Sequence, residues 1–569
     1  MSGYWQRFAD MRVSRRRMLR ALGSGAVAAG LIPIAGCSSD SGGTGESRGA
    51  RTSTTTTPDR PDLLNPGGIP RSGGTFITSE AAEFGTFDPH LGIALASAYF
   101  PRVYNVLVNQ SATKPEFIYF DLASSLETPD EQTFIFHIRP GVKVTPNSLG
   151  VPERDLDAED VRVNLDRISS LPAANNYAFV HDYIDSTVAE GDTVTIRTTS
   201  PYAWFLNRIG LFVNTIAPRE LLTGDPARMA QQAAGAGPFV LASLREGEGG
   251  RFERNPNYYR TGESDGARLP YLDAIDLRVI VDRSTARTAF VSGQMHRYTP
   301  SDALEAQDLA SKFVIQRDPN FSYIAFTMNP RQKPFDDPRV RRAFSRAIDR
   351  TQYADIIYGG EAKPDGLVHW SVGSYALDPD ELATTYQPYD VEEARRLVEQ
   401  VGGIRVRMMY PAETLLEEHD KHLPIFLEQM RAAGIQIDSE PQALPAWIDN
   451  YRAINYQCSL ALNQFYETPE IPLGFHTLSG PLADGTYVQG LGDPEIEAAV
   501  KKSRETLDIN ERIQAVHDAQ KIIYAKDPMM LPLVTPYTYQ AYWDTVHDIP
   551  AGVGTTAYLL NTLWLDPGA

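Results

Sequence analysis

Only two cysteines, Cys37 and Cys458, occur in 569 residues, so no disulfide framework holds this chain together. Positive charge is scarce: 53 Lys and Arg stand against 72 Asp and Glu, a formal net charge of -19. Phosphate recognition wants a basic face, and this balance disfavours a nucleic-acid binder. A comfortable membrane span is missing from the N-terminal region. The apolar run Leu22–Ile34 is interrupted by glycine and Pro33 and falls short of the roughly 20 residues a span needs. Signatures of catalysis are missing as well: no phosphate loop, no GxSxG elbow and no HExxH. The glycines at 235, 237, 247, 249 and 250 lack the strand-then-helix context of a nucleotide loop. What remains is ordinary globular material, 42% hydrophobic and 22% charged, which excludes a disordered or collagen-like chain. At roughly 150 residues per domain, the length suits three or four domains or one multi-lobed body.

The first residues read as an address. Arg7, Arg12, Arg15, Arg16, Arg17 and Arg20 precede the apolar run, and Ile34-Ala35-Gly36-Cys37 closes it, the parts of a secretory signal. Ser14-Arg15-Arg16-Arg17-Met18-Leu19-Arg20 resembles a twin-arginine export motif, and the stretch ending at Cys37 resembles a bacterial lipobox, in which the cysteine is lipidated. The segment before Cys37 carries six Arg and one Asp, so its removal takes the mature chain to -24. Residues 38–70 are dominated by Ser, Thr, Gly, Pro and charge, too little apolar content to order themselves, and read as a flexible tether. Cys458 lies among Leu460, Ala461 and Leu462 and reads as a small buried hydrophobe.

The body begins near Arg71. Phe134, Phe136 and Ile138 alternate on one face of a strand, and Glu190-Gly191-Asp192 marks a hairpin. Asp157 is placed to cap a helix whose inner face is Val161, Leu165 and Ile168. Asp337 and Pro338 open another, with Val340, Phe344, Ala347 and Ile348 as its buried stripe. Asp390 and Glu393 start a third, which ends at Gly402-Gly403. Then Ile404, Val406, Met408 and Tyr410 alternate, a helix runs to about Ala433, and Ile435 begins a strand. This strand–helix–strand unit predicts a parallel pair, and ligands bind outside the carboxyl ends of such strands. Tyr410 to Glu413 are therefore site candidates on geometry. His419 and His422 share a helix face; two imidazoles can seed a metal site, but Glu417, Glu418, Asp420 and Lys421 around them favour a solvated surface.

Several stretches in order resemble the family 5 extracellular solute-binding proteins, which serve dipeptide, oligopeptide and nickel ABC importers. They include Gly73-Gly74-Thr75-Phe76, Phe87-Asp88-Pro89, Tyr104-Asn105-Val106-Leu107, and Phe134 to Lys143. Gly235-Ala236-Gly237-Pro238-Phe239 and Arg254 to Tyr259 follow. The most specific runs from Asn329 through Pro334-Phe335-Asp336-Asp337-Pro338 to Ala347-Ile348-Asp349-Arg350. The resemblance implies an α/β fold, a two-lobed clamp of the periplasmic-binding-protein class II type with an extra subdomain in lobe one. On it the chain divides into an export signal (1–36), a lipid-anchored tether (37–70), lobe one with its subdomain (71–325), lobe two (326–540) and a return segment to lobe one (541–569). Crossing strands are expected near 321–327 and 536–543.

The implied function is capture of a solute between the lobes and delivery to an ABC permease in the cytoplasmic membrane. The protein is expected outside that membrane as a monomer held by lipid on Cys37, without cofactor or metal. Expected ligand-binding residues are Tyr104, Asn329, Trp370, Tyr410, Glu413, Trp447, Gln464, Phe465 and Tyr466; for each aromatic, plain core packing competes. Departures from the family bear on the ligand. Dipeptide-binding members hold the peptide carboxylate with an Arg where this chain reads Met408 to Thr414 without one, and the ammonium with an Asp where Phe465 stands, Glu467 being a substitute in a shifted register. His296 replaces a usual acidic residue. A simple dipeptide is thereby less favoured than a longer peptide or a neutral or cationic solute stacked on aromatics. An exported hydrolase of unknown class, or a chaperone or regulatory lipoprotein on the same scaffold, are the alternatives.

Overall fold

The structure, a computed structural model, describes residues 63–81, 85–91, 96–110, 118–229, 232–262, 265–319, 322–412, 419–464, 468–478, 490, 492–526, 528–550 and 561–568. The signal, Cys37 and most of the tether lie outside them. The last part of the segment read as tether is not free. Leu63 and Leu64 pair with Pro550 and Ile549, and the Asn65 amide donates to the carbonyls of Asp544 and Val546.

The body opens with β1 (Thr75–Glu80) and α1 (Ala96–Val103). A subdomain follows, with β2 (Ala123–Glu127), β3 (Thr133–Ile138), helix α2 (Ala158–Ser170), β4 (Ile184–Glu190) and β5 (Thr193–Thr198). Its four strands form an antiparallel sheet in the order β2-β3-β5-β4, and Gly191-Asp192 makes the tight connection of the expected hairpin. Helix α2 starts where the sequence places it. The Asp157 carboxylate accepts from the Asp160 N–H and Asp160 answers at the Asp157 N–H, a reciprocal cap of a kind worth about 1 kcal/mol. Val161, Leu165 and Ile168 are buried beneath it.

Strands β6 (Phe239–Arg245), β7 (Gly249–Arg254) and β8 (Ala274–Val279) return to β1. The sheet order is β1-β8-β7-β6, with β1 and β8 parallel. The Gly235-Ala236-Gly237 stretch matters here because it lies flat on the end of α1. A Cβ at Gly235 would fall 2.1 Å from the Val103 carbonyl oxygen, and one at Gly237 would fall 2.6 Å from the Val103 carbonyl carbon. The Gly237 N–H donates to that same oxygen at 2.9 Å.

From β9 (Val314–Pro319) the chain passes into β10 (Ser322–Met328) and lobe two. There α3 (Pro338–Ala347), α4 (Arg350–Tyr358), β11 (Ala362–Pro364), α5 (Val391–Gln400), β12 (Ile404–Pro411), α6 (His419–Ala432), β13 (Ile435–Gln442), α7 (Leu444–Arg452) and β14 (Cys458–Gln464) follow. Asp337 caps α3 with Pro338 in its first turn, Asp390 caps α5, and Gly359 closes α4 at φ 58°. The expected parallel pair is present: β12 runs parallel to β13 and to β14. One face of this sheet carries the lobe-two core, where the Phe326 ring centre lies 4.8 Å from those of Phe344 and Phe426. Cys458 is buried in it.

Helices α8 (Pro494–Glu505) and α9 (Ile509–Ala525) lead into β15 (Met530–Tyr542). This one strand joins the lobes. Its first half pairs with β10 and its second half with β9, so β9–β10 and β15 form two antiparallel connections across the body. The stretches 322–327 and 536–542 fall on β10 and on the second half of β15. The largest apolar cluster runs through the connection: lobe-one residues such as Phe205 and Phe252 share it with Tyr375, Val516, Ile523 and Met530. Among the described residues no helix is long and apolar enough to cross a membrane.

One surface expectation is overturned. His422 is not on a solvated face but fully buried, its Nε2 2.8 Å from the Tyr358 hydroxyl and its ring stacked on Tyr353. Helix α6 turns this residue onto α4, while Lys421 beside it is exposed. Among the described residues no group of His, Cys, Asp and Glu could hold a metal ion.

Candidate functional site

The parallel strands set the site. In lobe two, β12, β13 and β14 end at Pro411, Gln442 and Gln464. Gln464 lies opposite Ser322, where the chain enters from lobe one, so the carboxyl edge of this sheet is its hinge edge. In lobe one, the parallel pair β1 and β8 ends at Glu80 and Val279. Carboxyl ends of parallel strands leave backbone groups and loops free to meet a ligand.

The expected residues divide by where these elements put them. Tyr410 is half-buried near the carboxyl end of β12, and Gln464 ends β14. Trp370 stands beside the connecting strand: its ring centre lies 4.4 Å from the Lys363 Nζ and 5.6 Å from the Tyr537 ring. Its indole Nε1 is buried without a partner among the described residues. These three are brought to the hinge side. Three others have their polar groups engaged inside the protein. The Tyr104 hydroxyl donates to the Phe87 carbonyl at 3.0 Å, and burial pushes its phenol up. The Asn329 amide donates to the carbonyls of Ile454 and Tyr456 and its oxygen accepts from the Arg331 N–H. The Trp447 indole donates to Ser459 Oγ at 3.1 Å and its ring stacks on Tyr451. Glu413, Phe465 and Tyr466 lie outside the described residues.

The hinge carries chemistry that no local pattern announces. Arg317 of β9 covers the Tyr537 ring at 3.6 Å and pairs with Glu361, which also accepts from the Tyr539 hydroxyl at 3.1 Å. Lys363, Trp370, Tyr537 and Arg317 thus form a row in which two neighbouring rings each meet a cation. Behind it lies Asp365, fully buried. Its carboxylate accepts from Thr535 Oγ1 at 2.5 Å and from the Gly366 N–H at 2.8 Å. His369 Nδ1 accepts from the Ser371 N–H, which leaves the ring proton on Nε2, 3.2 Å from Asp365 Oδ2. Burial raises the Asp365 carboxyl to about 7 and holds His369 well below its usual range, with Lys363 adding to the latter. Asp365 and Thr535 are 170 positions apart, so only the tertiary contact reveals them.

A polar cavity of about 230 Å³ lies elsewhere on lobe two, between α7 and the sheet, with Arg407, Glu440, Asn450 and Gln457 in its wall. Several of its amides bond one another or the backbone: Asn455 donates to Asn450, Asn450 to Gln442, and Gln457 to the Lys333 carbonyl.

Comparison with known proteins agrees with this architecture. A family model described as bacterial extracellular solute-binding proteins, family 5 Middle, matches residues 118–475. A glutathione-binding protein of Salmonella paratyphi A is 24% identical over 504 residues, covering 82% of this chain and 90% of that protein. A periplasmic binding protein from Helicobacter pylori, solved in complex with the peptide STSA, superposes with a TM-score of 0.73 at 21% identity, over 87% of this chain and 98% of the other. An oligopeptide-binding protein from Bacillus subtilis in complex with a nonapeptide gives 0.72 at 17% identity, over 88% and 100%. These solved neighbours are two-lobed binding proteins, and the chain shares their fold.

Proposed function

The chain belongs to the bacterial extracellular solute-binding proteins, family 5, and from that premise we propose that it captures a peptide-like or other small solute between its lobes and delivers it to an ABC permease. The observation that carries this reading is the connection itself. Two antiparallel strands, β9–β10 and β15, link the lobes, and the carboxyl edge of the lobe-two sheet opens beside them. Closure about such connecting strands is the hinge motion by which clamps of this kind enclose a ligand. A solute stabilises the closed form only by the difference in its affinity for the two forms. Trp370, Tyr537, Tyr410 and Gln464 are the described residues we assign to the ligand side, together with Glu413, Phe465 and Tyr466 from the sequence. Support for this solute class comes from the relatives, one of which is named for glutathione binding while two solved neighbours hold peptides.

With this function goes an extracytoplasmic location. We read residues 1–36 as the export signal and Cys37 as the lipid attachment that keeps a monomer near its permease. The binding reading is tested by thermal-shift screening against peptide, sugar and polyamine pools, with small-angle scattering before and after addition. A stabilising peptide and a smaller radius of gyration are expected. Failure of all pools to stabilise the protein, with unchanged scattering, overturns the reading.

A further inference from the structure

The connecting strand β15 changes partner at one place. Met530 to Val534 pair with β10, and Tyr537 to Tyr542 pair with β9. Thr535 and Pro536 between them pair with neither strand among the described residues, while on the other edge they pair with Lys363 and Ala362 of β11. This is the point where the strand leaves lobe two for lobe one.

A buried carboxylate is fastened to that point. Asp365, the residue after β11, is 1% exposed. It accepts from Thr535 Oγ1 at 2.5 Å, from the Gly366 N–H at 2.8 Å and from the Trp370 N–H. Its own N–H donates to the Leu533 carbonyl at 3.3 Å. One side chain thus ties the turn 365–370 to the changeover in β15.

The groups facing it supply no cation. His369 of the same turn is near, with Nε2 at 3.2 Å, but burial and the charge of Lys363 keep its ring neutral. Tyr323 faces Asp365 from β10 and Tyr524 from α9, and burial pushes both phenols up. Lys363 of β11 lies over the Trp370 ring, and Arg350 of α4 donates from Nε to the Pro532 carbonyl at 2.8 Å. A carboxylate out of water and without a cation favours its neutral form, and burial raises Asp365 to about 7.

We propose that Asp365 is a proton-sensitive pin on the hinge: protonated, it holds the turn on Thr535, and ionised, it draws water in and frees β15 at its changeover. The inference rests on the two-lobed clamp and adds control of lobe movement by pH, whichever solute is bound. In the opened turn the carboxyl meets water and behaves as an ordinary aspartate near about 3.9. In the closed turn it keeps its proton up to about 7. Below about pH 4 both forms are protonated and opening is independent of pH; from there to about pH 7 each unit favours opening by about tenfold, and above that the effect is complete.

The test is hydrogen exchange of the purified protein without solute, read by mass spectrometry at about pH 5 and about pH 7 and corrected for intrinsic exchange rates. Peptides covering 361–372 and 533–540 are compared with β12 and β13 as a reference. In the wild type both are expected to lose protection by about tenfold per pH unit, with the reference constant within about twofold. Asp365→Asn keeps the shape without the titration and is expected to flatten both. Equal corrected protection at the two pH values in the wild type overturns the proposal and needs no variant. A response confined to 361–372, with β15 unmoved, shows a local titration and overturns the hinge role. A folded Asp365→Asn protein that keeps the pH response overturns it as well. No solute enters the experiment, so its failure is distinct from failure of the solute-binding reading.

Discussion

Arg208 and Glu470, 262 positions apart in sequence, meet with Nε 3.6 Å from Oε1 and both side chains 1% exposed. The Tyr202 hydroxyl donates to the other carboxylate oxygen, and Arg208 Nη2 donates to Asn176 Oδ1 at 2.9 Å. Arg504 approaches from α8, where its carbonyl accepts from the Ala203 N–H. The segment after β14 is thereby tied to the subdomain of lobe one. Burial raises the Glu470 carboxyl, while Arg208, the Tyr202 hydroxyl and Arg504 oppose that rise.

Removing one partner is therefore expected to hurt more than removing both. Glu470→Ala should cost about 3–5 kcal/mol in urea unfolding, the usual price of stranding a buried charge. Arg208→Met combined with Glu470→Leu should lose clearly less than the sum of the single changes. Additive losses count against a coupled pair.

Asp365 makes stability depend on pH in a stated direction. Its folded-state value, about 7, is above the roughly 3.9 of an unfolded aspartate, so the native state holds the proton more tightly. Its contribution is complete below about pH 4 and is lost as pH rises towards 7, at about 1.4 kcal/mol per pH step. Asp365→Asn is expected to flatten the stability profile over that window. An unchanged slope between wild type and variant refutes the assignment.

Trp370 contacts both Lys363 and Tyr537, and its indole N–H has no partner among the described residues. Trp370→Ala should lower affinity for the stabilising solute by about tenfold, in line with about 1–1.5 kcal/mol for an aromatic contact beyond its area. Trp370→Phe should keep most of it. The melting temperature without ligand should change little for Phe. A tenfold loss in both variants would point to the indole N–H rather than the ring face.

Gly237→Ala would push a methyl group to 2.6 Å from backbone that cannot yield cheaply. A loss of about 1–3 kcal/mol is expected, typical of overpacking. Wild-type stability for this variant would show that α1 moves freely.

Cys37→Ser should release the protein from membranes and remove the lipid mass from its N-terminal peptide. Membrane association that survives the change refutes lipidation at Cys37.

Local chemistry explains what the sequence reveals early. Helix starts at Asp157, Asp337 and Asp390 depend on contacts within three residues, and the alternation in Thr133–Ile138 depends on one strand's two faces. Those patterns are complete within a short window, so they can be read without knowing the fold. The ordered motifs from Gly73 to Arg350 carry the family in the same way, and the paired β12 and β13 follow from strand–helix–strand periodicity.

The sequence by itself thus determines many of the elements, their caps and the clamp class, because each is encoded by neighbours or by a linear order of motifs. Tertiary structure alone decides which charges are spent and which are not. It buries His422 against Tyr358 and engages Asn329 in a turn. It joins Asp365 to Thr535 and Arg208 to Glu470. The physical reason is that a side chain's solvation and partners depend on what the chain folds against it, often hundreds of residues away. A charge that looks like surface in the sequence becomes a buried countercharge only when water is excluded around it.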